Sequence, residues 1–142
     1  MSRVFLDSNL FIYLFEDTMG PRGARTQEIF EGLSRRGDLV MTSTLTLGEV
    51  LVKPIREGDR ALETKYKSLM HEPEVKVLAF DRRAGEIFAL VRQDRSIKAP
   101  DAIQLATAGA AGCDLFITND DRLTFVRVPG IHFISSMQRA PV

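Results

Sequence analysis

Two aspartates follow apolar runs of the kind that form buried strands. Asp7 comes directly after residues 4–6, and Asp120 comes shortly after residues 115–118. In open parallel sheets, ligands bind beyond the carboxyl ends of the strands, where the strand order reverses. If these two strands are neighbours, both carboxylates project into one crevice. Each aspartate alone is also explained as a helix N-cap or a turn residue, because aspartate is common at both.

Two further acids lie in predicted helices among apolar neighbours. Glu49 shares a helical face with Leu45 and Val52, so we expect it to point inward. Asp101 stands in the first turn of another helix, next to the small Ala102. A buried carboxylate is costly unless a cation or a proton neutralises it. A salt bridge would explain Glu49 without any chemistry, and the helix dipole would explain Asp101.

Four carboxylates in one crevice would repel each other by several kcal/mol at low effective dielectric. A hard divalent cation removes this repulsion, and Mg²⁺ and Mn²⁺ prefer oxygen ligands. A zinc site is not indicated, because His71 and His132 are isolated and Cys113 is best explained as a small core residue. The sequence therefore predicts a Mg²⁺ or Mn²⁺ site formed by Asp7, Glu49, Asp101 and Asp120.

Short apolar runs that alternate with helical patterns must position these acids. The runs that predict strands are residues 4–6, 39–42, 75–79, 115–118 and 131–134. In the helical segments between them, Gly37 is the expected C-cap of one helix, Lys53-Pro54 the expected end of another, and Asp81 the N-cap of a third. Because helices separate the strands, we expect one domain over residues 1–142, a three-layer α/β/α sandwich with a mainly parallel sheet.

The composition is that of a soluble globular protein, with 44% hydrophobic and 27% charged residues. The 19 basic and 19 acidic residues give a formal net charge of zero, whereas strong nucleic-acid binders usually carry a basic excess. Acids clustered around a metal would cancel basic residues elsewhere, so the net charge excludes little. The chain has a single cysteine, no apolar run that spans a bilayer and no signal-peptide pattern, so we expect a cytoplasmic protein.

These segments together resemble the PIN domain family, and in particular the VapC-type toxins of bacterial and archaeal toxin–antitoxin pairs. The matching segments, which follow in order across nearly the whole chain, are VFLDSN (4–9), TLTLGEV (44–50), APDAIQLA (99–106) and ITND (117–120). The resemblance implies a five-stranded parallel sheet and a Mg²⁺- or Mn²⁺-dependent endoribonuclease whose products carry a 5′-phosphate and a 3′-hydroxyl. It places all four acids at the family's acidic positions, with Asp7 and Asp101 as direct metal ligands.

The resemblance also implies roles for residues around the acids. Asn9 and Thr118 occupy polar positions that support the acids in the family, and Asp121 could take the role of Asp120. Lys98 and Arg122 lie close in sequence to the site acids and are the best candidates for contacts with the RNA backbone. Toxins of this kind form homodimers and are held inactive by a small antitoxin protein, so we expect both partners here, with a stand-alone PIN ribonuclease as the alternative.

Two alternatives compete with a ribonuclease. A PIN-like fold could act as a non-catalytic module that binds RNA or protein, although the intact set of acids favours an enzyme. A flavodoxin-like or receiver-like domain would bind a nucleotide or accept a phosphoryl group. The chain lacks a glycine-rich phosphate loop after its first strand and an aspartate pair before Asp7, which argues against this second alternative.

Overall fold

The computed structural model describes all 142 residues and places every strand in one sheet. The strands are β1 (Arg3–Leu6), β2 (Leu39–Ser43), β3 (Val75–Leu78), β4 (Cys113–Thr118) and β5 (Ile131–Ser136). Their order across the sheet is β3-β2-β1-β4-β5, and each neighbouring pair is parallel. The predicted five-stranded parallel sheet is therefore confirmed.

Six α-helices and one 3₁₀ helix connect the strands. They are α1 (Ser8–Glu16), α2 (Pro21–Arg36), α3 (Thr44–Glu57), α4 (Arg60–Met70), α5 (Arg82–Val91), α6 (Ala99–Ala111) and the 3₁₀ helix (Asp121–Phe125). As predicted, α2 ends at Gly37, whose φ is 67°, and Asp81 caps α5 by accepting a hydrogen bond from the Ala84 N–H at 2.9 Å. None of the helices combines the length and apolarity needed to cross a membrane.

Successive side chains of the central strand β1 enter two separate cores. Val4 and Leu6 pack with residues of α1 to α4 on one face of the sheet. Phe5 packs with α5 and α6 on the other face, where its ring stacks on Phe116 at 5.1 Å between centroids. A strand buried on both faces is apolar throughout instead of alternating. The predicted three-layer α/β/α architecture is confirmed.

The strand order reverses at β1, and this reversal creates a crevice. The chain runs from β1 through β2 to β3 and then returns to β4 on the other side of β1. Helices α1 to α4 cover one face during the outward path, and α5 and α6 cover the other during the return. The carboxyl ends of β1 and β4 therefore border an opening where open α/β sheets bind ligands.

One predicted helix boundary is wrong. We expected α3 to end at Lys53-Pro54, but the helix continues to Glu57 with Pro54 buried inside it. Proline removes one backbone hydrogen bond, and here the ring compensates by packing on the buried face of the helix. The helix ends instead at Gly58, whose φ of 67° is the left-handed conformation that glycine adopts without a Cβ penalty.

Helix α6 approaches the turn before β5 so closely that position 109 has no room for a side chain. A Cβ on Gly109 would lie 2.3 Å from the carbonyl oxygen of Pro129. We expect Gly109→Ala to lower the free energy of unfolding by about 1–3 kcal/mol through overpacking. The control is Gly85→Ala in α5, where a Cβ would meet nothing within 4 Å. This substitution should raise the free energy of unfolding by about 0.5–1 kcal/mol, because glycine loses more conformational freedom on folding than alanine does. Urea unfolding measures both, and a neutral Gly109→Ala would contradict the close approach.

Candidate active site

Asp7 is a buried carboxylate at the end of the central strand. It is 7% exposed and occupies the N-cap position of α1. Its Oδ1 accepts a hydrogen bond from the Ser8 N–H at 2.8 Å, and its Oδ2 accepts one from the Thr118 hydroxyl at 2.9 Å. Both donors are neutral, and no lysine or arginine forms an ion pair with Asp7. Its carboxylate is therefore held in place without being neutralised.

The acids of the crevice influence one another's ionisation. Burial raises the pKa of the Asp7 carboxyl to about 6, and the negative charges of Asp101 and Glu49 act in the same direction against the two hydrogen bonds. Asp101 lies in the first turn of α6. Burial raises the pKa of Asp101 as well, and the charge of Asp120 adds to the increase. The structure thus brings acids from distant parts of the chain close enough to interact.

Glu49 reaches the site from the exposed side of α3. The buried residues of this helix are Thr46, Val50 and Pro54. The prediction that Glu49 points inward together with Leu45 and Val52 is wrong, since Glu49 is exposed and Val52 is 53% exposed. The face of α3 that packs on the core follows the i, i+3, i+4, i+7 spacing of Leu47, Val50, Leu51 and Pro54, which the choice of Leu45 and Val52 missed. Glu49 nevertheless lies at the site, where its Oε1 accepts a hydrogen bond from the Ser8 hydroxyl at 2.7 Å.

Asp120 is neutralised by a neighbouring arginine. The Arg122 guanidinium donates from Nε to Oδ1 of Asp120 at 3.1 Å and from Nη2 to Oδ2 at 2.8 Å. The backbone N–H of Arg122 also donates to Oδ1 at 3.0 Å. The hydrogen bonds and charge of Arg122 lower the pKa of Asp120. Arg122, which we predicted to contact RNA, is therefore paired with an acid, although its side chain is 77% exposed.

The remaining predicted residues lie at the same site with different contacts. Thr118 binds Asp7 as described, whereas Asn9 binds no acid and donates from Nδ2 to Oδ1 of Asn119 at 2.9 Å. Asn9 thus orients another polar side chain of the pocket. Lys98 and Asp121 are both exposed and line the same pocket as the four acids.

The four predicted acids line one pocket of about 370 Å³. Apart from Pro100, its lining is polar or charged. The carboxylates do not converge on a single point, and no three His, Cys, Asp or Glu side chains are arranged to hold a metal ion by themselves. The expected tight ligand set is not preassembled, because Asp120 is turned onto Arg122 and Glu49 is exposed. The oxygen donors still fit Mg²⁺, which commonly binds one or two carboxylates and keeps several waters.

A buried polar network beneath the acids was not predicted. Gln104 of α6 is 2% exposed and donates from Nε2 to the hydroxyls of Ser8 at 2.8 Å and Thr46 at 2.7 Å. Its Oε1 accepts a hydrogen bond from the Ser43 hydroxyl. Because Ser8 also binds Glu49, the network joins α1, α3 and α6. The available signal was a glutamine on the apolar face of α6, since a buried amide requires hydrogen-bond partners.

The sequence matches the family model of the PIN domain over residues 4–131. The chain therefore belongs to the PIN domain family, which confirms the resemblance found in its motifs. A comparison with curated proteins gives no match.

Several solved structures share the fold at low sequence identity. VapBC2 from Rickettsia felis, bound to a DNA fragment from its promoter, has a TM-score of 0.75 at 14% identity and aligns over 94% of this chain and 98% of that chain. A toxin–antitoxin complex from Klebsiella pneumoniae has a TM-score of 0.65 at 23% identity and aligns over 90% of this chain and 94% of that chain. VapC20 from Mycobacterium tuberculosis, a toxin that cleaves the sarcin–ricin loop, has a TM-score of 0.64 at 20% identity and aligns over 80% of this chain and 86% of that chain.

The buried carboxyl of Asp7 predicts a specific dependence of stability on pH in the metal-free protein. Its pKa rises from 3.8 to about 6 on folding, so the folded state holds this proton more tightly than the unfolded state. The protonated carboxyl therefore provides stability that is lost as the pH rises from about 4 to above 6. The free energy of unfolding falls by about 3 kcal/mol over this range.

Asp7→Asn, which is neutral and of similar shape, should avoid this loss. We expect it to raise the free energy of unfolding at pH 7 by up to about 3 kcal/mol in EDTA, with the difference shrinking toward pH 4. Asp81→Asn is the matched control, because asparagine caps a helix as well as aspartate does. Urea unfolding across this pH range measures both variants. A wild-type protein that is as stable as Asp7→Asn at pH 7 would contradict the prediction.

Proposed function

We propose that this chain is a divalent-metal-dependent endoribonuclease that acts as the toxin of a type II toxin–antitoxin pair. The observation that carries the proposal is the buried carboxylate of Asp7, which has no basic partner and shares a polar crevice with four other acids. Phosphodiester hydrolysis requires positive charge near the phosphate, and a crevice lined by acids supplies it by binding cations. Membership of the PIN family and the fold shared with toxin–antitoxin proteins support this class of reaction.

Asp7 and Asp101 are the residues that would hold the ion. A bound Mg²⁺ or Mn²⁺ would activate water and stabilise charge on the scissile phosphate. Thr118 and the Ser8 N–H fix the Asp7 carboxylate while leaving lone pairs on both oxygens for a cation. The second acid comes from the first turn of α6. Two rigid elements therefore supply the two carboxylates.

Other side chains position the substrate and the remaining acids. The Gln104 network fixes the Ser8 hydroxyl, which in turn holds Glu49 at the edge of the pocket. Lys98 is exposed at the start of α6 and attracts the phosphate backbone. Arg122 uses Nε and Nη2 for Asp120, so its Nη1 is left to donate to a phosphate oxygen. Such phosphate contacts orient RNA but carry no sequence information.

The chemistry of the products follows from hydrolysis by water. A water oxygen bonds to phosphorus while the bond to the 3′ oxygen breaks, and the departing oxygen takes up a proton. The two ends are then a 5′-phosphate and a 3′-hydroxyl. Attack by the neighbouring 2′-hydroxyl would instead leave a 2′,3′-cyclic phosphate, so the identity of the ends reports which nucleophile acts.

A cleavage assay tests the enzymatic proposal. Purified protein incubated with total RNA and Mg²⁺ or Mn²⁺ should produce new 5′-phosphate ends, which sequencing detects. We expect Asp7→Asn and Asp101→Asn to reduce cleavage by roughly 100-fold or more, because each removes a ligand of the ion that stabilises the transition state. EDTA should abolish cleavage, and Asp81→Asn should leave it unchanged.

Two outcomes of this assay contradict the proposal. Cleavage that persists in EDTA or in Asp101→Asn would show that the acids are not the site. RNA binding without cleavage under any divalent ion would instead identify a non-catalytic binding module. Comparing the cleavage rates of Asp120→Asn and Asp121→Asn then identifies which of these neighbouring acids contributes to catalysis.

The proposed partners give a separate prediction. The similar structure from Klebsiella pneumoniae is a toxin–antitoxin complex, and VapBC-5 from Mycobacterium tuberculosis, another similar structure, belongs to the VapBC family of toxin–antitoxin systems, which supports a cognate antitoxin for this chain. We expect the protein alone to have twice its chain mass of 15.9 kDa by light scattering. We expect a small protein encoded beside it to co-purify with it and to suppress RNA cleavage. A monomeric mass would contradict the predicted homodimer. Undiminished RNA cleavage in the presence of the neighbouring gene product would contradict the predicted antitoxin.

A further inference from the structure

Phe125 leaves a large aromatic ring in solvent at the end of the 3₁₀ helix. The residue is 87% exposed, whereas Leu123 of the same helix is 4% exposed and anchors it to the core. Full burial of a phenylalanine side chain contributes about 1.5–3 kcal/mol, and this ring contributes little of that to the fold. The ring is therefore available to a ligand at little cost to stability.

A small cavity beside this ring shares lining residues with the acidic pocket. The cavity has a volume of about 140 Å³, and its lining includes Asp101, Asp120, Arg122, Leu123, Phe125 and Val126. The first three of these residues also line the acidic pocket. A polymer bound across both cavities would place a phosphate among the acids and a neighbouring nucleotide beside Phe125.

The cavity is lined by one arginine, Arg122, and by three aspartates, Asp94, Asp101 and Asp120, so a nucleotide there would meet its cations at Arg122 and at the proposed metal ion. Arg122 lines both cavities, and its Nη1 is not used by Asp120. An aromatic ring next to a cation is the combination that holds single-stranded nucleic acid, because the ring stacks on a base while the cation contacts the backbone. The site thus offers separate partners for the two parts of one nucleotide.

We propose that Phe125 is a stacking platform for an unpaired base of the RNA next to the scissile phosphate. This inference rests on the proposed ribonuclease function and names the form of its substrate. A base within a duplex has both faces covered by its neighbours, so the platform selects RNA that is single-stranded at the cleavage site. Every base has a π face, so stacking by itself gives little preference among the four bases.

A protein partner is the competing occupant of this surface. Phe133 is 73% exposed, and together with Phe125 it lines another cavity of about 830 Å³. Phe125 differs from Phe133 because it also lines the cavity that shares residues with the acidic pocket. This continuity with the acids favours RNA as the ligand of Phe125, and the Phe133→Ala variant separates the two occupants.

A fluorescence experiment tests stacking directly. Single-stranded RNAs with 2-aminopurine at successive positions are bound to the Asp7→Asn protein, and we expect quenching at one position. Phe125→Ala in this background should abolish the quenching and weaken binding roughly 5- to 100-fold, whereas Phe125→Trp should retain both. Leu90→Ala is the matched control, because Leu90 is 61% exposed on α5 and lines neither cavity.

Kinetics of the otherwise wild-type enzyme supply a second readout. Phe125→Ala should raise KM more than it lowers kcat, since it removes binding and leaves the acids in place. An abasic nucleotide at the quenched position should cause a similar loss. Phe125→Ala should cause no further loss on that abasic substrate, because the two changes remove the same contact.

The possible outcomes distinguish this inference from the proposed function. Equal RNA binding and cleavage by Phe125→Ala and Leu90→Ala would overturn the platform and leave the ribonuclease intact. Weakened protein association in both Phe125→Ala and Phe133→Ala, with unchanged RNA cleavage, would assign the surface to a protein partner and also overturn it. A wild-type protein that neither binds nor cleaves RNA would overturn both proposals.

Discussion

The ionisation of one buried carboxylate constrains the rest of the site. Asp7 ends the central strand with little access to water, and its hydrogen-bond donors are neutral. The charges of Asp101 and Glu49 make its ionised form still less favourable. Binding of a proton or of a cation neutralises the unfavourable negative charge of Asp7, and the two compete for the same carboxylate oxygens. Since the pKa of Asp7 is about 6, the carboxylate is largely ionised at neutral pH, where a divalent ion is the better partner.

The scaffold holds the two sides of the crevice differently. Asp7 is fixed by its backbone N–H, which donates to the Ile117 carbonyl at 3.1 Å, and by the Thr118 hydroxyl at the end of β4 and the Ser8 N–H at the start of α1. Gln104 adds a buried connection to α3. On the other side, the 3₁₀ helix has Leu123 as its only buried residue. The side that carries Asp7, where we propose that the metal binds, is therefore held by the core, whereas the side that carries Phe125 is weakly anchored and suits contacts with the proposed substrate.

Much of this arrangement could be predicted because strand ends and caps depend on local sequence. The positions of Asp7 and Asp101 followed from an apolar run and from a proline at a helix start. The orientation of Glu49 was predicted wrongly, because the apolar residues of α3 were assigned to the wrong face although their i, i+3, i+4 spacing identifies it. The Gln104 network joins residues 58 and 96 positions apart, so no local pattern reveals it. The pairing of Asp120 with Arg122 depends on the geometry of one 3₁₀ turn, which sequence patterns do not resolve.

Direct titration of the metal tests the central claim most simply. Free Mn²⁺ is measured by electron paramagnetic resonance while it is added to the wild-type protein or to Asp7→Asn at neutral pH. If the buried carboxylate is a ligand, the wild-type protein binds Mn²⁺ at least about tenfold more tightly than Asp7→Asn, and its affinity falls as the pH is lowered through about 6. Equal affinity of the two proteins for Mn²⁺ across this pH range would contradict the claim.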